Sequence, residues 1–136
     1  MANKKLSDIE GIGPSYAKKL QAAGIRSVSG LLKHCATKSG RKKVATDANI
    51  SESTILKWAN MADLYRIKGV GSEYSQLLEK AGVDTVKELK MRSPQNLHEK
   101  MMEVNAKQKL VRQLPSLSKV EAFVKQAKGM APKITY

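Results

Sequence analysis

Two closely spaced glycines, a proline suited to start a helix and a lysine pair share one short stretch, Ile9–Leu20, "IEGIGPSYAKKL". Gly11 and Gly13 leave backbone amides bare, and Pro14 fits the first position of a helix, where its missing N–H costs nothing. Bare amides at a helix N-terminus attract anions, and the helix dipole adds to that attraction. Lys18 and Lys19 follow one turn later, where flexible ammonium groups can reach the oxygens of a phosphate. The chemistry on offer here is anion binding.

Other chemistry is thinly supplied. His34 and His98 are lone histidines on helical stretches, and Asp8, Glu10, Asp47, Glu52 and Asp63 have no spacing that gathers a metal. There is no Walker loop, and neither glycine pair has the strand–turn–helix setting of a dinucleotide site. Cys35 is the only cysteine. That excludes a disulfide framework and a thiolate zinc site, and it fits a reducing compartment. The expectation is a protein with no catalytic residues, no cofactor and no metal.

Charge points the same way as the glycines. The 136 residues hold 25 Lys and Arg against 12 Asp and Glu, a net charge of +13 with a pI near 9.9. Such an excess suits a polyanion, because clustered cations release condensed counterions from phosphates. Arg41, Lys42, Lys43 and Lys57 are the expected additional phosphate contacts. "KQKLVR" (107–112) and Lys125, Lys128 and Lys133 read as solvated faces. The six aromatic residues sit mostly at apolar-periodic positions, which suits a core better than a stacking platform for single strands. "GRKKVATDANISESTILKW" also has the spacing of a helix-turn-helix, with Ser51, Ser53, Thr54 and Lys57 outward.

These groups must be positioned by helices. At an offset of 58 residues "IKGVGSEYSQLL" repeats the opening stretch, matching Gly11 with Gly69, Gly13 with Gly71, Tyr16 with Tyr74 and Leu20 with Leu78. Later positions match only at an offset of 65, placing Trp58 on Phe123, so the second copy has gained about seven residues in its middle. Such a pattern indicates a tandem duplication, with copies at 1–62 and 63–136. Ser27, Ser51, Ser93 before Pro94, and Ser118 are the expected helix caps. Apolar spacing of three and four dominates, and nothing alternates with period two for long. The predicted fold is all-α, about five short helices per copy, with the two repeats packed into one compact unit.

"IEGIGPSYAKKLQAAGIRSVSGLL" resembles a helix-hairpin-helix motif of DNA repair, replication and recombination proteins, and "IKGVGSEYSQLLEKAGVDTVKEL" resembles it again. The whole chain is similar to a bacterial family of tandem helix-hairpin-helix proteins known mainly as a domain of unknown function. The resemblance implies sequence-independent contact between hairpin amides and DNA phosphates. Those amides fall on Gly11, Gly13 and Ser15 or Tyr16 around Ile12, with Lys18 and Lys19 as charge partners. It also implies that a monovalent cation, where such hairpins hold one, would sit on the Ile9 and Ile12 carbonyls.

The second hairpin, Gly69, Val70 and Gly71, departs from that pattern. Ser72 replaces Pro14, Glu73 stands in the anion site, and Gln76 replaces Lys18. A carboxylate there satisfies the helix dipole and repels phosphate. This hairpin is therefore expected to be structural or to bind a protein partner. The function expected overall is non-catalytic binding of duplex DNA, as a nucleoid-associated or repair and recombination accessory protein. The alternatives are structured RNA binding and a protein-interaction scaffold. The opening "MANKKLSDIEGIG" has no apolar run of signal-peptide length and no stretch approaches a membrane span, so a cytoplasmic place at the nucleoid is expected.

Overall fold

The computed structural model describes residues 5–136, and every regular element among them is helical. A short 3₁₀ turn, Leu6–Asp8, leads into α1 (Pro14–Ala22), α2 (Val28–Cys35), α3 (Lys38–Ala48) and α4 (Glu52–Leu64). Then follow α5 (Ser72–Lys80), α6 (Val86–Leu89), α7 (Pro94–Gln108) and α8 (Leu117–Lys128). The chain divides into two compact units. The first runs up to Asp63 and takes in Lys133–Tyr136, and the second is Leu64–Pro132.

The helices begin where side chains can cap them. Ser27 Oγ accepts from Gly30 N at 3.1 Å, and Ser51 Oγ accepts from Thr54 N at 3.3 Å. Ser93 caps α7 with Pro94 at its first position, where the absent N–H is no loss. The last helix differs from expectation. Ser116, not Ser118, is its cap, accepting from Lys119 N at 3.3 Å, and Ser118 falls in the first turn. Ser118 falls inside the helix because the apolar spacing already starts at Leu117, three residues before Val120.

The two hairpins share one backbone plan. Ile12 N donates to Ile9 O at 3.1 Å, as Val70 N does to Ile67 O at 3.1 Å. Gly11 has φ +96° and Gly69 has φ +97°, a region closed to most side-chain-bearing residues. Each of α1 and α5 ends on another left-handed glycine, Gly24 and Gly82. There the next amide, of Ile25 or Val83, returns to Leu20 O or Leu78 O. Leu20 and Leu78 are fully buried, each contributing roughly 1.5–3 kcal/mol.

Gly13 and Gly71 have a different reason. Both sit just before a helix in extended conformation, φ −88° and −113°, and a side chain added at either would meet nothing. Neither a close approach nor a positive φ accounts for the second glycine of each pair. Folding does not require glycine at these two positions.

Under each left-handed hairpin glycine lies an aromatic pair. In the first unit Tyr16 meets Trp58 edge-on, with centroids 5.1 Å apart. In the second Tyr74 meets Phe123 at 6.3 Å. A side chain on Gly11 would begin 3.3 Å from Trp58 Nε1, and one on Gly69 would begin 3.1 Å from Phe123 Cε1. Close packing of ring on backbone is a second reason for glycine there.

Candidate functional site

The first unit presents the start of α1. Gly11, Gly13, Pro14, Ser15 and Tyr16 are all exposed, and Gly13 provides no side chain to cap the helix. The amides of Gly11, Gly13, Ser15 and Tyr16 have no acceptor among the described residues, whereas Ala17 N is satisfied by Gly13 O at 2.9 Å. Four amides without an acceptor therefore lie in and just before the first turn, at the positive end of a nine-residue helix. Lys18 and Lys19 are exposed one turn on. Lys19 Nζ lies 5.7 Å from the centre of the Tyr16 ring, which holds that charge beside the hairpin.

Ile12 and Arg41 do not belong with the expected contacts. Ile12 is buried at 3% exposure and its amide is spent on Ile9, so the hairpin's middle residue anchors the turn. The Ile9 carbonyl accordingly already accepts one hydrogen bond. Arg41 is 5% exposed. One of its nitrogens donates to the Cys35 and Ala36 carbonyls, both at 3.1 Å, and another donates to Thr135 O at 2.7 Å. Its guanidinium also faces the Tyr136 ring at 5.8 Å. Arg41 ties residues 133–136 to the α2–α3 corner and is spent on structure. Helical spacing carried that signal, since Arg41, Val44 and Ala48 lie on one face and all three are buried.

Lys42, Lys43 and Lys57 are exposed as expected. None of Lys18, Lys19, Lys42, Lys43 and Lys57 has an ion-pair partner among the described residues. Helix α1 packs on α3, so the hairpin and the Lys42–Lys43 pair belong to neighbouring elements of one unit. The α3–α4 turn has left-handed Asn49 (φ 55°) and buried Ile50, Ile55 and Trp58, leaving Ser53 and Lys57 outward.

The second hairpin is tethered by its own unit. Tyr74 Oη donates to Gln113 O at 3.2 Å, and Gln113 lies in the α7–α8 connection that holds much of the extra length of the second copy. That connection is pinned twice more. His98 Nε2 is 3.0 Å from Pro115 O, and the Asn105 carboxamide pairs with both backbone groups of Val111. Gln126 also clamps the hairpin, accepting from Lys68 N at 2.9 Å and donating to Lys68 O at 3.2 Å. Ser75 and Leu77 of α5 are buried, where Ala17 is half-buried and Lys19 exposed in α1. Glu73 is exposed at the α5 start. Gly69, Val70 and Gly71 thus frame a turn that leads into a helix with an exposed carboxylate in its first turn.

Among the described residues no cluster of three His, Cys, Asp or Glu could hold a metal, and no helix is long and apolar enough to cross a membrane. Residues 10–130 match the model of the family described as a domain of unknown function, DUF4332. The chain belongs to this family. The match spans both hairpins, from the turn before α1 to the end of α8. No solved structure matches the chain.

Proposed function

We propose that this DUF4332 protein binds duplex DNA without sequence preference, through backbone phosphates seated at the start of α1. The observation that carries this reading is the set of unpaired, exposed amides of Gly11, Gly13, Ser15 and Tyr16 beside two unpaired lysines. Backbone amides and a helix dipole favour a phosphate oxygen without reading a base, and lysines add the salt-dependent part of affinity. Lys42, Lys43 and Lys57 extend the contact. A net charge of +13 supports a polyanionic partner. Helix-hairpin-helix resemblance in "IEGIGPSYAKKL" supports the same assignment, and the exposed Glu73 argues against a phosphate at the second hairpin.

Binding of unrelated duplexes at a series of salt concentrations tests it. With roughly five to eight phosphates neutralised, the slope of log K against log salt is expected near −5 to −7, the same for every duplex. Absence of binding at low salt, or a slope near zero, contradicts the proposal. Competition by structured RNA as strong as by duplex DNA would move the assignment to RNA.

A further inference from the structure

Trp58 is 2% exposed, and its Nε1 lies 3.3 Å from the point where a Gly11 side chain would begin. That indole N–H has no acceptor among the described residues. The ring is buried, but Nε1 itself is not sealed from solvent, so this N–H is open to an acceptor brought to the hairpin. In the second unit Phe123 fills the corresponding place, 3.1 Å from the Gly69 point and against Tyr74. A ring without a donor therefore supports a hairpin equally well. The donor occurs only in the unit whose helix start carries lysines.

We propose that Trp58 Nε1 is a further donor of the first hairpin's phosphate site, hydrogen-bonding a phosphodiester oxygen beside Gly11. The inference rests on the reading of the α1 start as the DNA contact. A neutral N–H next to the hairpin favours an anion and repels a cation. It also adds affinity without releasing a counterion, whereas each lysine does both. The first hairpin thus differs from the second in two independent ways, charge on α1 and a donor on α4.

The test is Trp58→Phe, which installs the ring that the second unit already uses. Duplex affinity and melting temperature are measured together over a range of salt. The expected result is a melting temperature within a few degrees of the parent and affinity roughly three- to tenfold weaker. The salt slope should stay unchanged, while Lys18→Gln in the same assay should flatten it by about one. Trp58 is also the only tryptophan, so its single indole N–H resonance reports on the site in the unaltered protein. It is expected to shift on saturation with duplex and to stay put in Lys18→Glu/Lys19→Glu. Trp58→Phe binding as tightly as the parent, or an indole resonance that ignores DNA, overturns the assignment of Trp58 while the lysine effects still stand. Lysine reversal without effect would instead remove the hairpin reading itself.

Discussion

Tyr74 Oη donates to the Gln113 carbonyl at 3.2 Å, so in the second unit the hairpin tyrosine is bonded to the chain's own connection. Its counterpart Tyr16 is 41% exposed, with its ring against Trp58 and Lys19 Nζ near it. The extra residues of the second copy therefore hold one hairpin tyrosine by a bond that the first copy lacks. Replacing Tyr74 with Phe removes that bond and leaves the Gln113 carbonyl to solvent, at an expected cost of about 0.5–1.5 kcal/mol. Duplex affinity of the folded protein should not change. Denaturant melts and DNA titrations of this variant check both halves.

Gly11 and Gly13 should fail in opposite ways. Gly11→Ala forces a side chain into φ +96° against Trp58 and should cost about 1–3 kcal/mol. Gly13 is extended and uncrowded, so Gly13→Asp supplies the cap that α1 lacks. It should raise stability by roughly 0.5–1 kcal/mol. The same carboxylate consumes a free amide and puts negative charge where the phosphate is proposed, so DNA binding should be nearly lost. A Gly13→Asp variant that melts higher and still binds would contradict the site.

Arg41 separates structure from binding. Arg41→Ala leaves the Cys35, Ala36 and Thr135 carbonyls without their donor, at an expected cost of about 2–4 kcal/mol. The salt slope should hold. Lys42→Gln with Lys43→Gln should do the reverse, weakening all duplexes alike and sparing the melting temperature. Emergence of one preferred sequence, altered by Ser53→Ala or Lys57→Ala, would point to the α3–α4 turn as a base reader.

How much of this the sequence carries depends on whether a residue acts locally. Ser27, Ser51 and Ser93 cap where helical periodicity starts. Gly11 and Gly69 are left-handed because a tight turn precedes a helix. Those relations span a few residues and were legible. Helical spacing places Arg41 on the buried face, but the two lysines after it suggest surface, and one of its partners is Thr135, 94 positions away. The same limit hid the Gln126 clamp on Lys68, and Trp58 read as plain core because its apolar ring dominates its spacing. Gly13 is ambiguous in sequence for another reason, since glycine before a helix serves equally as a turn or as an open N-cap.

Burial pushes the Cys35 thiol from 9.0 up to about 11, with the Arg41 charge pulling weakly the other way. A raised folded-state value favours the neutral thiol, so its contribution to stability is complete below about pH 9 and fades as pH climbs toward 11. The stability difference between the parent and Cys35→Ala should shrink over that window. At pH 7.5 thiol reagents should label Cys35 only in denaturant.

The central claim is that one hairpin holds DNA and the other does not. Duplex affinity at two salt concentrations, measured in parallel for the parent, Lys18→Glu/Lys19→Glu and Gln76→Glu, addresses it most directly. We predict a loss of at least about tenfold and a flatter slope for the lysine pair, with Gln76→Glu within about twofold of the parent. Equal losses in the two variants would show that both hairpins touch DNA and would contradict the account.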